Sequence, residues 1–261
     1  MKTLQEFKVA LRILLKEKTK NSLSFINKYI NLNPDLKEYL FERVTIKNPH
    51  YFNSIDTIEK TYWFGFICAD ALVKQKYRYT FKFELSSLDR ERLVKLAGLL
   101  GYDIERIKDR KRRYYDDNGK LKIKEYSCIQ FKSKRMIEEL LGNGYSSSAM
   151  GTGLPEIVKK AEEDIALAFL LGFFDGDGTW YGGRSAEIYT SNKIFLMDIK
   201  NKFKIKYAIR TTKKALIDKL PGKIINRAAH RLTLGADLYE KMMRIYAYSM
   251  KRKRAPQFRG I

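Results

Sequence analysis

Two stretches of this sequence are versions of one another, and that doubling constrains the fold more than any other feature. Leu170-Leu171-Gly172-Phe173-Phe174-Asp175-Gly176-Asp177-Gly178 is an apolar helix pattern that stops at an acidic, glycine-broken end. Trp63-Phe64-Gly65-Phe66-Ile67-Cys68-Ala69-Asp70-Ala71 repeats it 107 residues earlier, with Gly65 on Gly172, Ala69 on Gly176 and Asp70 on Asp177. Gly65 and Ala69 are four apart, as are Gly172 and Gly176, so each pair shares one helix face. Small residues on a shared face let two helix backbones approach closely. Trp63, Phe66, Ile67, Leu170, Phe173 and Phe174 are then left to fill the core of each half. Side-by-side packing brings Asp70 and Asp177 to the same end.

The pattern around each stretch is also doubled. Residues 58–73 read as the first helix, followed by an alternating strand. On that strand Lys76, Arg78, Thr80, Lys82, Glu84 and Ser86 face one way, and Tyr77, Tyr79, Phe81, Phe83 and Leu85 the other. Asp89 is placed to cap a helix that ends at Gly101. Strands near 104–115 and 121–133 flank Asp116-Asp117-Asn118-Gly119, a hairpin signal. On the second of these, Lys122, Lys124, Gln130 and Lys132 share a face, and Arg135 to Leu141 closes the unit as a helix. Residues 142–154 are rich in Gly and Ser and read as a linker.

The order then returns. A helix from Glu163 ends at the second signature, and strand residues reach Tyr189 before Thr190-Ser191-Asn192 caps a helix. Strands near 205–212 and 224–234 follow, the latter with Arg227 and Arg231 on one face, and then a helix from Asp237 to Met250. The basic run Lys251-Arg252-Lys253-Arg254 reads as a flexible tail available to phosphates. Ahead of the repeat, residues 1–57 read as helical: Leu4, Phe7, Leu11 and Leu14 share a face, and Asn33-Pro34 starts a third segment. These helices suit either a helix-turn-helix or a packing subdomain. The expected organisation is a helical extension over 1–57, a first half over 58–150 and a second half over 151–261. The fold class is α+β.

Composition narrows the function. The formal net charge of +22 favours an anionic partner, nucleic acid or a membrane surface. Basic residues alternate with tyrosines along strands, which suits a sheet reading a nucleic-acid groove better than a lipid-binding helix. No apolar run reaches membrane-spanning length, and residues 1–20 lack a signal-peptide profile. Cys68 and Cys128 are too few for a disulfide framework, so a reduced, cytoplasmic protein is expected. With His50 and His230 as the only histidines, histidine-based nuclease or triad chemistry is disfavoured. The Lys-, Glu-, Ile- and Tyr-rich usage is compatible with a thermophilic host.

Two carboxylates beside two helix C-termini make a negative spot on a positive protein. They repel one another unless a cation bridges them. Such oxygen ligands suit Mg²⁺, which keeps water and accepts phosphate oxygens. Metal there can activate water and stabilise the leaving oxygen of a phosphodiester. Asp175-Gly176-Asp177-Gly178 is no calcium loop, because Trp180 and Ala186 stand where the loop needs glycine and bidentate glutamate.

The doubled motif over residues 58–250 resembles that of the LAGLIDADG homing endonucleases, in their monomeric two-motif form. The resemblance implies two αββαββα halves whose antiparallel sheets form a saddle over double-stranded DNA. It implies a site-specific, Mg²⁺-dependent, intron- or intein-encoded endonuclease cutting both strands. By position it makes Asp70 and Asp177 the metal-binding catalytic acids. It offers Lys134, where the last strand of the first half meets its helix, for charge stabilisation or water activation. It offers Glu84 and Glu187, read as matching places in the two halves, for ordering active-site water. Lys76, Arg78, Lys82, Lys122, Lys124, Gln130, Lys132, Arg227 and Arg231 are the expected DNA contacts. The sequence departs from the pattern at Cys68, which replaces the first aspartate of the first motif, and at Ala71, which replaces its final glycine. Gly235-Ala236-Asp237 offers no counterpart to Lys134. The alternative function is an RNA maturase acting on intron RNA, or a catalytically inactive DNA-binding relic. A membrane-surface protein is disfavoured.

Overall fold

The computed structural model describes residues 46–75, 79–116, 119–145, 152–181, 185–217 and 224–255, without the side chains at 181, 185 and 212–228. Residues 45–261 form one compact unit. The helices expected before residue 46 lie outside the described residues. Residues 46–57 lead into the first repeat as a loop, and bury Ile46, Phe52 and Ile55 in the core.

The first repeat opens with helix α1 (Ile58–Asp70), capped by Thr57, whose Oγ1 accepts the Lys60 backbone N–H at 3.3 Å. Its sequence runs to residue 73 as an apolar helix pattern, but the chain turns extended at Ala71 and begins strand β1 (Ala71–Lys74). Pairing of Leu72 with Lys82 and of Val73 with Phe81 claims those residues for the sheet. Strand β2 (Thr80–Ser86) alternates as its sequence requires, burying Phe81, Phe83 and Leu85. Helix α2 (Arg90–Leu100) ends at Gly101, which takes the left-handed conformation at φ 61°. Asp89 precedes α2 without capping it by side chain. Strands β3 (Lys108–Tyr115) and β4 (Leu121–Lys132) then form the hairpin across Asp116 and Gly119, whose φ is 73°. Helix α3 (Lys134–Gly142) is capped by Ser133 and closes the repeat.

A short helix that the sequence pattern does not announce, α4 (Glu156–Lys160), precedes the second repeat. Helix α5 (Glu163–Asp177), β5 (Gly178–Tyr181), β6 (Ser185–Thr190), α6 (Lys193–Lys202), β7 (Arg210–Ile217), β8 (Ile224–Thr233) and α7 (Ala236–Ile245) follow. Asn192 caps α6 by accepting the Phe195 backbone N–H at 3.1 Å. The two four-stranded antiparallel sheets have equivalent orders, β1-β2-β4-β3 and β5-β6-β8-β7. The fold is α+β and internally duplicated, as the repeated pattern requires.

Both repeats share one apolar core. Phe66 of α1 meets Phe83 of its own sheet edge-on at 5.0 Å, and Phe173 of α5 meets Phe195 of α6 at 4.5 Å. Phe64 and Phe169 join the two repeats at 5.8 Å. Among the described residues no helix is long and apolar enough to cross a membrane.

Candidate active site

The site is built by the crossing of α1 and α5. At Gly65 a β-carbon would collide with the carbonyl of Phe169, and at Gly172 one would collide with the carbonyl of Tyr62. The two helix backbones therefore touch at their glycines, as the four-residue spacing requires. One turn further on, a β-carbon on Gly176 would press on Ala69 and stand 3.2 Å from Asp70 Oδ2. The residue beside Asp177 is thus packed against the carboxylate of Asp70, and both repeats deliver an aspartate to the shared end of the helix pair.

Asp70 reaches the surface and Asp177 is half-buried, yet dense protein surrounds both carboxyls. Burial raises the Asp70 pKa, opposed by the charges of Lys253, Lys124 and Arg252. Burial and then the Asp70 charge push Asp177 up to about 7, with Lys253 opposing. An acid whose proton affinity is raised by burial and by a neighbouring carboxylate forms a centre that a cation would relieve. Among the described residues no group of three or more His, Cys, Asp or Glu side chains could hold a metal. The donor set fits an ion that accepts two carboxylates and takes its remaining oxygens from water, backbone carbonyl or phosphate, as Mg²⁺ does.

Residues 164–244 match the family model of the LAGLIDADG-like domain. The second repeat is therefore LAGLIDADG-like. Among solved structures, the homing endonuclease I-WcaI bound to its DNA recognition sequence is similar at 13% identity and a TM-score of 0.45, over 79% of this chain and 86% of that one. Full-length DUF199/WhiA from Thermatoga maritima is similar at 14% identity and a TM-score of 0.38, over 78% of this chain and 62% of that one. No curated protein matches the sequence.

In the second LAGLIDADG motif the two aspartates have separate surroundings. Asp175, in register with Cys68, is fully buried, and its Oδ2 accepts the Tyr62 hydroxyl at 2.7 Å and the Met250 backbone N–H at 2.6 Å. Burial pushes its pKa up to about 6 against those two hydrogen bonds. Asp175 is an anchor for the chain's end. Residues 246–255 fold back over the helix pair, which corrects the reading of Lys251–Arg254 as a flexible tail. Tyr246 packs on Tyr62 at 4.6 Å and donates to Glu59 at 2.7 Å. Lys251–Lys253 form a 3-10 turn. Arg252 grips Asp89 with its Nε 2.8 and 2.9 Å from the two oxygens, which is why Asp89 does not cap α2. Arg254 is buried, donating to Ser249 Oγ at 2.7 Å and to the Tyr246 carbonyl at 2.5 Å.

The structure does not bring Lys134 to the acid pair. Lys134 follows the end of β4 that pairs with Thr80, whereas Asp70 lies toward the other end, where Lys124 acts on it. Lys134 Nζ instead lies 3.9 Å from Glu138. Glu84 and Glu187 are not at matching places. Ala71 faces Phe83 and Gly178 faces Ile188, so the ladder sets Glu84 against Tyr189 and Glu187 against Lys82. The strand alternation hides this two-residue offset, because it keeps both glutamates on the outer face. Glu84 pairs with Lys82 at 2.8 Å. Glu187 accepts Tyr189 Oη at 2.6 Å, Thr233 Oγ1 at 2.9 Å and Arg231 at 3.3 Å. Burial of Glu187 would raise its pKa, but these partners hold it below the usual range.

Lys82, Lys122, Lys124, Gln130 and Lys132 fall on the face of the first sheet opposite the buried Phe81, Phe83, Ile129 and Phe131. Arg231 is tied to Glu187 in the second sheet. Lys76 and Arg78 lie outside the described residues, as does the side chain of Arg227. The sequence reading misses Arg110 and Arg112, which pair with Tyr126 and Lys124 and so join the same open face. β3 is exposed along its whole length and carries charge on both faces, so no apolar period marks its register. Lys253 is also missed, because nothing in its local sequence signals a partner 77 residues away.

Proposed function

We propose that this chain is a site-specific double-strand DNA endonuclease, acting as a monomer. The observation that carries the reading is the meeting of one aspartate from each repeat at the shared end of two LAGLIDADG helices. The basic outer face of the first sheet suits a duplex. On the first sheet Lys82, Lys124, Lys132, Arg110 and Arg112 are placed to contact phosphates, and Gln130 a base edge.

Asp70 and Asp177 would hold Mg²⁺. When bound, that ion supplies Lewis acidity to the phosphoryl oxygen and lowers the pKa of a coordinated water. The protein's own work is positional. The glycine contacts fix the two carboxylates relative to one another, and the flanking sheets set the duplex over them. Lys124 lies on the DNA-facing side and acts on Asp70, so it links the acid pair to the phosphate path.

The test is incubation of the full chain and of Asp70→Asn/Asp177→Asn with a pool of randomised duplexes, with and without Mg²⁺. The reading expects cut products only from the unaltered chain with Mg²⁺, and retention of the same duplexes by both proteins in gel shift. Cutting by the double variant overturns it. Tight retention of RNA, with no duplex cut under any condition, also overturns it.

A further inference from the structure

We propose that the Lys253 ammonium is a counter-ion built into the acid pair, and that a divalent cation must compete with it, so this side chain sets the metal affinity of the site. The inference rests on the reading of Asp70 and Asp177 as metal ligands.

Lys253 Nζ donates to the carbonyl of Gly176 at 2.6 Å and to that of Phe174 at 3.2 Å. These are carbonyls of the last turn of α5, where the helix is most negative. Gly176 is the residue that lies against Asp70 and precedes Asp177. The ammonium therefore sits on the carbonyl of the residue that lies against Asp70 and precedes Asp177; burial lowers its pKa, and the charges of Asp175, Asp70 and Asp177 act against that.

The seat is fixed from both sides. Met250 is held by Asp175 and Arg252 by Asp89. Tyr239 donates to the Lys253 carbonyl at 3.0 Å and accepts the Ala255 N–H at 2.8 Å. Arg252 binds Asp89, and Lys253 is the side chain that donates to the α5 carbonyls. Backbone carbonyls and carboxylates are also the oxygens that hard divalent ions prefer. A fixed positive charge on the same helix end opposes a second cation, and even at water-like screening its removal tightens binding by about tenfold.

The probe is Mn²⁺ alone, which shares the oxygen-ligand preference of Mg²⁺, with free ion read by electron paramagnetic resonance. The full-length chain is compared with Lys253→Met, Lys253→Gln and Asp70→Asn/Asp177→Asn, each checked for native circular dichroism. Lys253→Gln keeps a donor for the α5 carbonyls without the charge, so it decides the question if Lys253→Met does not fold. The expected result is Mn²⁺ binding that needs the aspartates and tightens about tenfold without the ammonium. Binding that needs the aspartates but is unchanged or weakened in the lysine variants overturns this inference alone. Binding indifferent to the aspartates overturns the metal site and the inference with it.

Discussion

Asp175 and Asp177 stand two positions apart in one motif, and their partners decide what each can do. Asp175 is sealed in by Tyr62 and Met250, and its Oδ1 finds no hydrogen-bond partner among the described residues. An amide there can keep both accepted bonds at its oxygen and remove the buried charge. The folded pKa of about 6 lies above the unfolded value of about 3.9, so the native state binds the extra proton between those limits. Stability at this residue is therefore present below about pH 4 and declines as pH rises through about 6. Asp175→Asn should match the unaltered chain at pH 4 and exceed it by about 3 kcal/mol at pH 7 in urea unfolding. Asp175→Leu should lose about 2 kcal/mol or more at any pH, because it leaves the Met250 N–H and the Tyr62 hydroxyl unpaired. Equal urea midpoints for all three proteins at pH 7 would refute this role.

At the scale of elements, the helix pair and the sheet orders are legible in the sequence because each has a local period. Gly65 with Ala69, and Gly172 with Gly176, announce a close crossing, and Phe81, Phe83 and Leu85 announce a half-buried strand. β1 is less legible, because Ala71–Lys74 continues an apolar helix pattern and only its pairing with β2 makes it a strand. The chain end is illegible for a different reason. Lys251–Arg254 has the composition of a solvated tail, and the partners that order it belong to α5, to α7, to the loop after α7 and to the turn before α2. The crossing itself is the most sensitive element. A side chain at Gly172 must displace backbone, not a flexible tip. Gly172→Val should cost about 3 kcal/mol or more of unfolding free energy, whereas the same change at exposed Gly142, with open space around it, should cost far less. Equal losses from the two changes would show that the helices do not touch as described.

The whole molecule couples a charge of +22 to a small negative centre that both repeats share. The aspartates of that centre could be paired from sequence, since the repeat aligns them. Glu84 and Glu187 could not, because their equivalence depends on ladder register and not on position in a motif. We propose that the two acids work as one unit. The most direct test is single-turnover cutting of each DNA strand, labelled separately, by Asp70→Asn and by Asp177→Asn with Mg²⁺ present. A shared centre predicts that either substitution alone slows cutting of both strands by about a hundredfold or more while duplex affinity is retained. Cutting of either strand at the unaltered rate by either variant would contradict it.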